Sequence, residues 1–289
     1  MNPTDTSHVH QGKFLQSHRV FTLFKYAIYL LLAWNAFLFF QEDFAASAQT
    51  FGDDISWRNF VEAFSATIDT VAWIVLLLLF ELETAVIPDQ KLKGSLKWLL
   101  MAVRALAYFF IVYAFYGYWA KFGVITDLVP FEIADVCRLA GMDWNYVADL
   151  DDYPPLDQVA CASLQGQELY RIAGRELIGS AGALRSALGL AIIDIVNAGT
   201  WLIIVVLLEV EVFLQLKNLL TGRMLSIGKY LKGFFYLVLF VCAAYWGVEG
   251  SFLDFWDAFL WLVAFIFIEM NIFRWHGEAE EQQDMAAAS

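Results

Sequence analysis

Histidine is nearly missing from the apolar part of this chain: His8, His10 and His18 precede the first hydrophobic run, and His276 follows the last. That absence argues against haem, di-iron or copper ligation and against a histidine proton relay within a bilayer. Walker and dinucleotide glycine loops, a Gly-x-Ser-x-Gly elbow and a His-Glu-x-x-His helix are also missing. There is no arginine ladder and no Thr-Val-Gly-Tyr-Gly filter. Asp149, Asp151 and Asp152 do not meet EF-hand spacing. No enzyme, cofactor or metal is expected. Positive charge is scarce too: 18 Lys and Arg stand against 31 Asp and Glu, a formal net charge of −13. Without a basic patch, nucleic-acid binding is excluded. Only three cysteines occur. Cys137 and Cys161 lie close together in one polar segment and are expected to pair in an oxidising compartment, whereas Cys242 falls mid-helix as a free, inert thiol.

What the chain has in abundance is hydrophobic residues, 60% of the total. A hydrocarbon core about 30 Å thick takes roughly 20 apolar residues per helix. Six runs approach that length: Val20 to Phe40, Ile68 to Ile87, Leu96 to Ala120, Leu188 to Leu208, Tyr230 to Val248 and Phe252 to Phe273. They are continuous rather than alternating, which excludes a β-barrel. The expected class is an all-α polytopic membrane protein with six transmembrane helices. The expected segments are a polar tail (1–18), helices one to three (19–120), a small, mostly helical outer cap (121–187), helices four to six (188–274) and an acidic tail (275–289). The cap expectation rests on the spacing of Val159, Cys161, Leu164, Leu169, Ile172 and Ala173. Gly174, Gly179, Gly182 and Gly189 lead into the fourth helix, as close-packing positions or as a hinge.

Basic residues in short loops set orientation. Lys13, Arg19, Lys91, Lys93, Lys97, Lys217, Arg223, Lys229 and Arg274 all fall on one side of a six-helix topology, so both termini are expected in the cytoplasm, in a bacterial inner membrane. Ala46-Ser47-Ala48 mimics a signal-peptidase site, but the preceding run is too long, and the first helix reads as a retained anchor. Trp57, Phe60, Val61 and Phe64 suggest an amphipathic helix lying on the outer face.

A pattern recurs. Asp69, Trp73, Glu81 and Glu83 return as Asn197, Trp201, Glu209 and Glu211, and again as Asp257, Trp261, Glu269 and Asn271. The odd helices carry a second one: Lys25 and Tyr29, Arg104 and Tyr108, Lys232 and Tyr236. Trp73 to Trp201 and Arg104 to Lys232 are both offset by 128 residues. Three copies of a two-helix hairpin are expected. Asp194 reads as an additional polar group with no counterpart in the second or sixth helix.

Ionisable groups in a membrane cost about 2.5 to 3.5 kcal/mol each on insertion scales, so they demand a reason. Glu81, Glu209 and Glu269 lie eight residues past their tryptophans, about 12 Å along a helix, at a depth similar to that of Lys25, Arg104 and Lys232. One reading pairs each basic residue with a glutamate on a neighbouring helix. A second lines a conduction pathway with the glutamates, and a third presents them to another subunit. Glu81 and Glu83 point about 200° apart, as do Glu209 and Glu211, so one of each pair is expected to meet a cation while the other faces water or the headgroups. Asp69, Asp194, Asn197 and Asp257 form either an outer polar ring or ordinary interface polarity. The tryptophans serve helix packing or an aromatic constriction. The leading expectation is a cation-related channel or transporter, embedded in lipid and homo-oligomeric or part of a membrane complex. The alternative is a non-catalytic scaffold or accessory subunit.

Overall fold

The structure is a computed structural model and describes residues 5–51, 60–87, 93–217, 219 and 222–266. It is mainly helical. Helix α1 spans Asp5–Phe51, followed by α2 (Phe60–Ala63), α3 (Ser65–Glu81) and α4 (Gly94–Thr126). After a small cap come α6 (Ala181–Leu216), α7 (Gly222–Glu249) and α8 (252–266). Among the described residues, four helical segments are long and apolar enough to cross a membrane: Val20–Ser47, Gly94–Thr126, Ala181–Glu211 and Gly222–Glu249. The described parts of α3 and α8 are shorter, and part of the expected sixth run, with Glu269 and Asn271, lies outside the described residues.

Several boundaries differ from expectation. Residues 5–18 continue α1 instead of forming a loose tail. No proline interrupts the chain from there to Phe51. At its other end α3 relaxes into a π-turn, Leu82–Val86, closed by Ile87 N donating to Leu82 O at 2.9 Å. Ile87 is extended, as the residue before Pro88 should be. Of the expected amphipathic surface helix, Trp57 lies outside the described residues, and Val61 and Phe64 are buried rather than laid on a surface. They face the point where α4 comes closest: a Cβ on Gly117 would stand 2.7 Å from the Val61 carbonyl.

The cap is not all-helical, and this corrects the fold class. It holds a four-stranded sheet in the order β1-β3-β4-β2, with β1 Leu128–Pro130, β2 Asn145–Tyr146, β3 Leu169–Ile172 and β4 Leu177–Ser180. β3 pairs antiparallel with both β1 and β4, and β2 runs parallel to β4. Helical spacing survives only in α5 (Gln158–Leu164), capped by the Asp157 side chain. Gly166, at φ 81°, ends that helical run, and Gly174, at φ 73°, turns the β3–β4 hairpin; both conformations favour glycine. Beyond α5, apolar residues a few positions apart belong to strands, whose extended backbone sends alternate residues inward. The Cys137–Cys161 disulfide joins a 3₁₀ turn, Val136–Leu139, to α5.

The cap is seated firmly. β4 runs directly into α6, where Ser180 Oγ accepts from Ala183 N at 3.2 Å and caps the helix. Ile172 and Leu177 of the sheet share one buried cluster with Leu184, Leu190 and Trp246 of the helices. Of the glycines read as packing positions, Gly189 meets the Tyr245 hydroxyl across the α6–α7 contact, while Gly174 and Gly179 belong to the hairpin.

Candidate functional site

Three helices bear the same face. Asp194, Asn197 and Trp201 occupy positions i, i+3 and i+7 of α6; Asp254, Asp257 and Trp261 repeat that spacing in α8; Ala66, Asp69 and Trp73 repeat it in α3. At 100° per residue each set forms one stripe along its helix. All nine side chains line a single cavity of about 410 Å³ beneath the cap. Asp254 is therefore the counterpart of Asp194 that the sequence reading did not find. The signal was present, since each aspartate stands seven residues before its tryptophan.

The tryptophans form the floor. The Trp73 ring lies 6.0 Å from Trp201 and 6.4 Å from Trp261 between centroids, and Phe265 closes to 4.3 Å from Trp201. They belong to a continuous apolar cluster with Leu32, Leu77, Ile204 and Ala264. Glu42 and Asp43 of α1 and Tyr118 and Lys121 of α4 add to the walls. Asp149, Asp151 and Asp152 of the cap come in from above. Nine carboxylates thus face a cavity whose lining has one basic side chain, Lys121.

Hydrogen bonds hold the carboxylates in place. Asp69 accepts from the Tyr118 hydroxyl at 3.2 Å and from the Trp73 indole one turn away. Asp257 accepts from the buried Asn35 amide at 2.9 Å and from the Trp261 indole. Asp43 accepts from the amide and hydroxyl of Thr67, at 2.9 and 2.6 Å. Asp254 takes the Ser251 hydroxyl at 2.8 Å, and the Trp246 indole serves Asp194. The direct ion pair in the cavity is Lys121 with Asp151, at 2.6 Å, and it ties α4 to the cap. In the cap, burial raises the Asp149 carboxyl above the usual carboxylate range; its own Oδ1 accepts from Leu150 N at 2.7 Å.

The opposite ends of the helices are organised differently. Lys25 of α1 meets Glu81 of α3 at 2.5 Å, with both side chains buried, and the Tyr26 and Tyr29 hydroxyls donate to the same carboxylate. Arg104 of α4 pairs with Glu83 on the other side of α3. Lys232 of α7 meets Glu211 of α6 at 3.0 Å, and the Tyr108 hydroxyl donates to Glu209 at 2.7 Å. Glu81 and Glu83 both meet a cation, where one was expected to face water or the headgroups, because α3 lies between α1 and α4. The 200° between the two side chains directs one to each neighbour. In the second pair Glu211 meets Lys232 while Glu209 is exposed. None of Glu81, Glu83, Glu209 or Glu211 lines the cavity.

This arrangement defines a helical, membrane-type protein with an acidic, aromatic-floored chamber between its helices and a mixed α/β cap. No family model matches the chain, and no curated protein or solved structure is similar to it.

Proposed function

We propose that the protein is a six-span membrane protein that takes up cations from the side of its cap and conducts or transports them, with the chamber as its cation-binding vestibule. The observation that carries this reading is nine carboxylates against one lysine around a cavity within apolar helices. Desolvated like charges are costly unless a counter-charge joins them. A cation entering such a space gains more than it would in water, because the low dielectric strengthens each attraction. On this reading the cap faces outward and both termini lie in the cytoplasm, as the loop lysines and arginines favour. The tryptophan floor is the constriction that a permeating ion must pass.

Three related hairpins support the same architecture. Tyr29 meets Glu81 and Tyr108 meets Glu209, each within its own hairpin, while Arg104 and Lys232 reach back to Glu83 and Glu211 of the preceding hairpin. Continued around a ring, that rule calls for an acidic partner of Lys25 at position 271, where the sequence has Asn271. Lys25 pairs with Glu81 instead.

Cation flux into liposomes tests the proposal, with the wild type compared with an Asp69→Asn/Asp257→Asn variant of equal thermal stability. Flux reduced at least tenfold in the variant, with a Glu83→Gln control unaffected, supports a conducting chamber. No flux of any inorganic or organic cation at either membrane polarity overturns it. The ion pairs joining adjacent helices favour a second reading, a scaffold or accessory subunit of a membrane complex, in which they specify assembly. Partner capture would then replace flux as the readout.

A further inference from the structure

We infer that the ligand of the chamber is a linear aliphatic polyamine, with its ammonium groups strung along the carboxylates and one end against the tryptophan floor. This rests on the reading above that the chamber takes cations, and adds which kind.

The carboxylates are spread out rather than convergent. Among the described residues no three His, Cys, Asp or Glu side chains come together as a metal site, although nine carboxylates share the cavity. They are stacked in levels. Asp194 and Asp254 stand three residues, about 4.5 Å, above Asn197 and Asp257 along their helices, and Asp151 joins them from the cap. A point charge serves one level and leaves the others uncompensated, whereas a chain of ammonium groups serves them in series. The cap side already holds such a group: Lys121 is a butylammonium, and its Nζ sits 2.6 Å from Asp151. A volume of about 410 Å³ is far larger than a bare ion needs and falls within the range of small organic ligands.

The lower end fits the same ligand. Indole rings attract ammonium groups and pack against methylenes, and Trp73, Trp201 and Trp261 all line the chamber. Thr70 lines the chamber beside Asp69, is 6% exposed, and makes no side-chain hydrogen bond among the described residues. By contrast, Thr200 in α6 turns its hydroxyl back to the Val196 carbonyl at 2.6 Å. A hydroxyl without an internal partner in a cavity wall is a place for a ligand N–H.

The test is calorimetric titration of the purified full chain in lipid nanodiscs with spermidine, against magnesium chloride and tetramethylammonium chloride at constant ionic strength. Spermidine is expected to bind at least tenfold more tightly than either. Asp194→Asn/Asp257→Asn should weaken it at least tenfold and Thr70→Ala about threefold, with Glu83→Gln unchanged. Should the double variant fail to fold, Thr70→Ala decides alone. Equal or tighter binding of magnesium or tetramethylammonium, or a spermidine affinity indifferent to the chamber variants, overturns the inference. If inorganic cations still bind and cross while spermidine neither binds nor competes, the polyamine assignment falls and the cation vestibule stands. If no cation binds or crosses, both fall.

Discussion

The two ends of the helix bundle use the same residue types to opposite effect. Away from the cap, Lys25, Arg104 and Lys232 each meet a carboxylate on an adjacent helix, so each of these cations is matched where it stands. Beneath the cap, carboxylates from α1, α3, α6 and α8 take their hydrogen bonds from hydroxyls, amides and indoles, and Lys121 is the one basic side chain that these and the cap's carboxylates, nine in all, share. Matched charges pin helices together, and unmatched ones leave a demand for something brought from outside. The count of acidic groups at either end says little, and the identity of their partners says most.

The largest effect expected from disturbing this contrast is at the matched end. Lys25→Met strands Glu81, which is 4% exposed, and should cost about 3–5 kcal/mol. Adding Glu81→Leu should recover most of the loss, because a well-packed apolar pair replaces a buried ionic one with little penalty. Chemical denaturation in detergent reads both, and failure of the second change to rescue the first would place the damage outside the ion pair.

At the unmatched end the sign reverses. Asp194→Asn keeps an oxygen for the Trp246 indole and removes a buried ionisable group. In the absence of ligand it should stabilise the protein by about 1 kcal/mol, raising Tm by about 2–4 °C. A fall in Tm would mean that Asp194 is already neutralised and that the contrast between the ends is overstated.

The smallest effect lies in the cap. Burial raises the Asp149 carboxyl above its ordinary value, so the folded state holds that proton more tightly than the unfolded chain. Folding therefore gains stability as pH falls toward the ordinary carboxylate range and loses it as pH rises above the raised value. Asp149→Asn, which retains an acceptor for Leu150 N, should raise Tm at pH 7 by no more than about 2 °C, with the difference vanishing in acid. Thermal melts from pH 3 to 8 check this. A difference that persists or grows in acid would sink it.

Legibility followed the range of each interaction. The polar faces of α6 and α8 rest on i, i+3, i+7 spacing, which is local, and Asp254 was within reach of the same rule. The disulfide was legible because two cysteines in one polar segment have few alternatives. The cap sheet was not: Leu169 and Ile172 lie at a helical spacing, and only pairing with Leu177–Ser180 and Leu128–Pro130 makes them strands. Tertiary pairing overrides local pattern most readily in short segments, where propensity has few residues over which to accumulate.

By itself, the sequence determined the apolar helices, the recurring stripes of aspartate or asparagine above tryptophan, and the basic and acidic positions at the other end, since each follows from periodicity along a single helix. Only the tertiary structure decided which carboxylates meet a lysine or arginine and which open together into a chamber. Periodicity gives the face a residue occupies on its own helix. The rotation and closeness of neighbouring helices decide what that face meets, and a shift of one residue, 100° around the axis, is enough to exchange a salt bridge for a cavity wall.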